Sequence, residues 1–96
     1  MMETFAFRHS DLASRSLASK ERSALCRQLH DHEKIVIDLA AVESISESFA
    51  DELFGVLVLE RGFDFVIKHV KIINAADDVL RSIAIAMKRR RSAVAA

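Results

Sequence analysis

Three serines at alternate positions, Ser44, Ser46 and Ser48, stand just ahead of an acidic pair, Asp51 and Glu52. Hydroxyls in such a place do one of two things. They cap the amide protons of a helix start, or they accept a phosphoryl group that brings about −1.5 to −2 of charge. The acidic pair already complements the positive end of a helix dipole, so it works against anion or nucleotide binding there. Other reactive residue types are scattered. His30 and His32 lie two apart, which turns them to different helix faces. His9 and His69 stand alone and no His-Glu-x-x-His occurs, so no metal ligand set is expected. Cys26 has only Arg27 as a basic neighbour and reads as a small buried hydrophobe. The run Lys88-Arg89-Arg90-Arg91 can touch phosphate, but it has no interleaved aromatic residues and more often completes a helix C-terminus. No Ser-His-Asp constellation can be assembled. The chain is read as a non-enzyme with no catalytic residues and no cofactor.

The elements around these residues follow from the pattern. Thr4 to Arg8 alternates, with Phe5 and Phe7 on one face, as a short strand does. Ser19 is the expected N-cap of a helix over Lys20 to Asp31 that buries Ala24, Leu25 and Leu29; an earlier start near Ala13 would place Glu21 inside the apolar face. Lys34 to Leu39 is a β-branched run suited to a central strand covered on both faces. Ala40 to Glu47 is a turn. Ser48, with Asp51 three residues on, resembles a capping box and opens a helix to Arg61, with Gly62 at the C′ position. Phe49, Leu53, Val56 and Leu57 form its core face, while Val58 falls outside that arc beside Asp51, Glu52 and Gly55. Val70 to Ile73 is a third strand. Asp77 or Asp78 opens a last helix that ends in the basic run, followed by a frayed tail at 92–96.

The order β-α-β-α-β-α predicts an α/β fold, a mainly parallel sheet of three or four strands in a single domain over 1–96. At 96 residues and 51% hydrophobic the chain can bury one core. Proline is absent and glycine occurs only at Gly55 and Gly62, which excludes glycine-rich phosphate loops. The formal net charge of +0 gives no general pull toward nucleic acid or membrane. The start has no signal-peptide pattern, the single cysteine leaves no internal disulfide, and no run reaches the roughly 20 apolar residues of a membrane helix. A soluble, cytoplasmic domain is the expectation.

The stretch from Ile35 to Ile45 resembles the central strand of STAS domains, the anti-sigma factor antagonist fold. The fuller match is to the bacterial STAS-like family of unknown function, through Phe49-Ala50-Asp51-Glu52-Leu53-Phe54 after an Asp38-Leu39 strand end, and through Ile73-Asn74-Ala75. Ser14-Arg15-Ser16, or else Ser19-Lys20, corresponds to an upstream Ser-Arg-Ser. The resemblance spans about Ser19 to Ile83. It implies a small STAS-like domain that acts by binding, as a regulatory module whose partner is an anti-sigma factor or kinase-like ATPase. In the antagonists, the serine before the helix is phosphorylated, which releases the partner. Ser48 falls at that position; Ser46 replaces the antagonists' aspartate and Phe49 their glycine. The expected docking residues are Ser46, Glu47, Ser48, Asp51, Glu52, Gly55 and Val58, across the Ser44–Ser48 turn and the next helix. A second copy of the chain is a further candidate partner. The alternative is a nucleotide or nucleic-acid module using the sheet edge or the basic tail.

Overall fold

Ile35, Val36 and Ile37 are β-branched neighbours with no polar break, and they form the strand at the centre of the molecule. The computed structural model describes the backbone of residues 2–95 and the side chains of residues 3–92. In chain order the elements are β1 (Met2–Ala6), β2 (Asp11–Leu12), α1 (Arg15–Asp31), β3 (Lys34–Asp38), β4 (Ser44–Ile45), α2 (Glu47–Ala50), a π-helical segment (Asp51–Gly55), α3 (Val56–Arg61), α4 (Phe63–His69), β5 (Val70–Ile73) and α5 (Asp77–Ala95). The main sheet has the order β1-β3-β5, parallel throughout, with Thr4 opposite Val36 and Ile37 opposite Ile72. A second, two-stranded parallel ladder joins β2 to β4. The expected α/β architecture with a parallel sheet is the one observed.

Strand alternation divides the sheet into two unlike faces. Ile35 and Ile37 belong to the main core with Phe5, Phe7, Phe49 and Phe54. Phe7 packs edge-on to both Phe5 and Phe49, at centroid distances of 5.4 and 5.9 Å, and so ties β1 to the helix layer. Val36 points the other way. It is buried but stands outside that core, and its cross-strand neighbours Thr4 and Lys71 are exposed. The central strand is therefore not covered equally on both faces, as its composition suggested. Lys71 and Thr4 supply the polar positions that β3 itself lacks.

Other departures have local causes. α1 starts at Arg15, capped by Ser14, whose hydroxyl accepts from Leu17 N–H at 3.1 Å. The earlier start puts Ala18, Leu25 and Leu29 in the core, with Arg22 on the same face. Arg22 is tolerated there because its guanidinium reaches Glu52 at 2.7 Å. Ser46, two residues before the expected cap, receives Phe49 N–H at 3.0 Å and opens α2. Gly62 ends α3 with φ +95°, a left-handed conformation that glycine adopts without strain. The chain re-enters a helix at once as α4, an element the sequence pattern did not show. α5 continues through the basic run to Ala95; of the expected frayed tail at 92–96, residue 96 and the side chains from 93 on lie outside the described residues. Among the described residues no helix is long and apolar enough to cross a membrane.

Ser14→Ala and Ser46→Ala each remove the acceptor for a first-turn amide. Each is expected to lower the unfolding free energy by about 1 kcal/mol, read by urea denaturation at neutral pH. An unchanged midpoint for both would remove the capping role assigned to these hydroxyls.

Candidate functional site

The Ser44–Ser48 turn is held from beneath by the segment before α1. Glu43 N–H and Ser44 N–H both donate to Ser10 O, at 2.7 and 3.1 Å, and Ser46 N–H donates to Leu12 O at 2.8 Å. Ser44 Oγ donates to Asp11, and Ser46 Oγ donates to Ala13 O at 3.0 Å while capping α2. Two of the three serines are thus committed to the fold. Ser48, in the first turn of α2 and half-buried, has no side-chain hydrogen bond among the described residues.

Asp51 and Glu52 are drawn inward by arginines from two other helices. Asp51 accepts a bidentate pair from Arg90 of α5, at 2.9 and 2.8 Å. Arg15 of α1 lies between the two carboxylates, 3.5 Å from Asp51 and 3.3 Å from Glu52. Arg22 pairs with the Glu52 carboxylate at 2.7 Å and also donates to its backbone carbonyl. Hydrogen bonding to Arg90 holds the Asp51 carboxyl below its ordinary range against a smaller opposing effect of burial, and Arg22 does the same for Glu52.

Gly55 makes this arrangement compatible with close packing. A Cβ there would lie 2.7 Å from Asp51 Oδ1, 3.0 Å from Arg90 Cγ and 3.4 Å from the Ala86 carbonyl. The missing side chain is the space through which α5 crosses.

The expected docking face is accordingly only partly a surface. Glu47 is exposed, and Ser46 and Ser48 are half-buried. Asp51 and Glu52 are engaged from within, Gly55 lies under α5, and Val58 is 1% exposed. Val58 was misplaced because a uniform helix was assumed. In the π-helical segment Val56 N–H bonds back to Asp51 O, one residue further than in an α-helix. The wider turn shifts the phase of everything after it, so Leu57 and Val58 both turn inward and Leu59, 46% exposed, turns out. A shallow groove of about 50 Å³ opens instead between Glu47 and Asp51 on one side and Ser82, Ile85 and Arg89 of α5 on the other. Sequence reading missed Ser82, Ile85 and Arg89 here. The exposed apolar Ile85, one turn before Arg89 on α5, was the available signal.

The basic run is divided by the helix that carries it. Arg90 is spent on Asp51 and Arg91 lies over the Phe63 ring, 4.4 Å from its centroid, leaving Lys88 and Arg89 outward. Cys26 is half-buried against the core rather than fully enclosed. His32 lies 3.4 Å from Glu3, His69 sits on the Glu33 carbonyl at 2.7 Å, and no group of three metal-binding side chains comes together among the described residues.

At the carboxyl edge of the sheet, Asn74 Nδ2 donates to Asp38 Oδ1 at 3.1 Å, and the same oxygen receives Ala40 N–H at 3.0 Å. Asn74 takes φ +60°, a left-handed conformation asparagine tolerates well. The Asp-Leu strand end and the Ile-Asn-Ala segment are therefore one latch between β3 and β5. The hexapeptide Phe49–Phe54 supplies core residues, the π-helical turn and the arginine-bound acids.

A model of the STAS-like domain of unknown function (DUF4325) matches residues 22–80 of the chain, from within α1 to the first turn of α5. The chain belongs to this family. No curated protein and no solved structure matches it.

A carboxyl with a depressed pKa contributes stability that is fully present above its ordinary value and is lost as pH falls through the folded value. The ordinary values are 3.8 for Asp51 and 4.5 for Glu52. Asp51→Asn combined with Glu52→Gln is expected to be less stable than the wild type at neutral pH. The gap should narrow once pH drops below 4.5. Urea unfolding at a series of pH values reads this, and a gap constant down to acid would show that the arginine pairs do not carry it.

Proposed function

We propose that this STAS-like domain acts by binding another protein, through the Ser44–Ser48 turn, the start of α2 and the adjoining face of α5. The observation that carries the reading is the state of Ser48. Among the described residues it is the one serine of the turn with no side-chain hydrogen bond, it follows a stretch of backbone fixed by three hydrogen bonds, and its neighbour Glu47 lines a groove with an exposed isoleucine. A fixed backbone with a free hydroxyl and an apolar contact point has what a docking element needs, since little ordering is lost on binding.

Phosphorylation of Ser48 is the switch this placement favours. A phosphate in the first turn of a helix is favoured by the dipole, and Arg89 lines the groove beside Glu47, the residue before Ser48. Glu47 and Asp51 stand against it, so the added charge would alter the docking surface strongly without leaving the fold's own hydrogen bonds broken. The resemblance to anti-sigma factor antagonists makes an anti-sigma factor or kinase-like ATPase the partner class. The division of the basic run, with two of its four cations engaged internally, supports a protein partner over a nucleic acid.

The test is affinity isolation from the source cell with tagged wild type, Ser48→Ala, Ser48→Asp and Ile85→Glu, each checked for an unchanged melting temperature. One protein should be retained by wild type and Ser48→Ala and lost with Ser48→Asp and Ile85→Glu. Retention by Ser48→Asp removes the switch. Retention by Ile85→Glu as well removes the surface.

A further inference from the structure

A second surface lies where α3 turns into α4. The reversal at Gly62 leaves a cleft of about 360 Å³ lined by the apolar side chains of Val58, Leu59, Phe63 and Phe65 and by the charged ones of Arg61, Asp64 and Arg91. Leu59 is 46% exposed, and Phe63 and Phe65 are only half-buried. Each ring carries its own cation. Arg91 lies over Phe63 at 4.4 Å and Arg61 over Phe65 at 5.7 Å. The two rings are two residues apart on the first turn of α4 and both line the cleft, each with its cation.

These arginines differ from those at the π-helical segment. Arg15, Arg22 and Arg90 are all matched to carboxylates, whereas Arg61 and Arg91 have no acidic partner among the described residues. A guanidinium lying over a ring gives its flat face to the π system and keeps its N–H donors at the edge for an anion. Arg61 and Arg91 are both exposed, so an incoming carboxylate can reach these donors directly. Aromatic and arginine side chains around an open cleft are the composition of interface anchor points. Two flanking cations on an apolar floor call for one bulky apolar group with negative charge on either side.

We propose that this cleft binds an acidic peptide segment of a partner protein, with a bulky apolar side chain seated among Leu59, Phe63 and Phe65 and carboxylates met by Arg61 and Arg91. The apolar floor disfavours a polyphosphate, which has no apolar group to seat there, and Asp64 at the rim repels any anion, so the peptide's carboxylates are placed on Arg61 and Arg91.

The test is an amide NMR titration of the full chain with the capped peptide Glu-Asp-Leu-Phe-Asp-Glu. The controls are Gln-Asn-Leu-Phe-Asn-Gln and Glu-Asp-Ser-Ser-Asp-Glu. Saturable shifts confined to Leu59 and residues 61–65 are expected with the first peptide. Affinity should drop about tenfold or more with either control, and also with Arg61→Glu combined with Arg91→Glu. The two controls vary only the peptide, so the outcome does not depend on a variant folding. No shifts at these residues, or equal shifts with the uncharged peptide, would overturn the proposal. So would concentration-dependent growth of the protein alone that Arg91→Glu abolishes, because the occupant would then be a second copy, presenting its own Asp77, Asp78 and exposed Leu80. The titration reads this cleft alone, and the Ser48 surface stands or falls on its own experiment.

Discussion

The helical stretch after the serine turn holds Phe49, Leu53, Phe54, Leu57 and Val58 at 1% exposure or less, and the other elements are arranged around it. The sheet supplies Ile35 and Ile37, α1 supplies Leu25 and Leu29, and α5 supplies Val79, Ile83 and Met87 to the same core. Burying so much of this helix leaves two half-buried carboxylates near its start, and each is met by an oriented cation. Arg90 arrives from α5 and Arg22 from α1, so the requirement created by one helix fixes where the two others lie. Gly55 is the steric side of the same constraint, because a methyl group there would press on Asp51 Oδ1 and Arg90 Cγ, the two side chains that pair across it.

Much of this architecture could be read from the chain, and the parts that could not share a cause. β3, β5 and the break at Gly62 announce themselves through local composition, since β-branched runs and a glycine after a helix act over a few residues. The start of α1 did not, because Arg22 and Glu21 interrupt its apolar face; only the partner Glu52, thirty residues away, makes Arg22 acceptable there. α4 was hidden for a related reason. Phe63, Phe65 and Ile67 alternate as a strand would, yet Gly62 and the packing of Val66 set the segment as a helix. The π-helical turn has no signature in periodicity at all, and it moved Val58 from the expected outer surface to the interior.

The candidate site was legible by position and not by role. The serine turn is where the sequence placed it, but Ser44 and Ser46 proved to be structural and Ser48 alone is uncommitted. The outward face beside it is built from Ile85 and Arg89, residues distant in sequence and visible only once α5 is laid across α2. The residues that carry the family resemblance, Asp38, Asn74 and the Phe49–Phe54 hexapeptide, are for the most part those that hold the scaffold. Resemblance therefore identifies the fold, and a role has to be argued from side chains outside the motif.

The short ladder between β2 and β4 has a consequence of another kind. It fastens the serine turn to Ser10 and Leu12, and two residues later Ser14 caps α1. Force applied to the turn is passed through three backbone hydrogen bonds to the root of the seventeen-residue helix that makes the chain's first crossover. The turn and that helix are in this sense one lever, and whatever grips the first has mechanical purchase on the second.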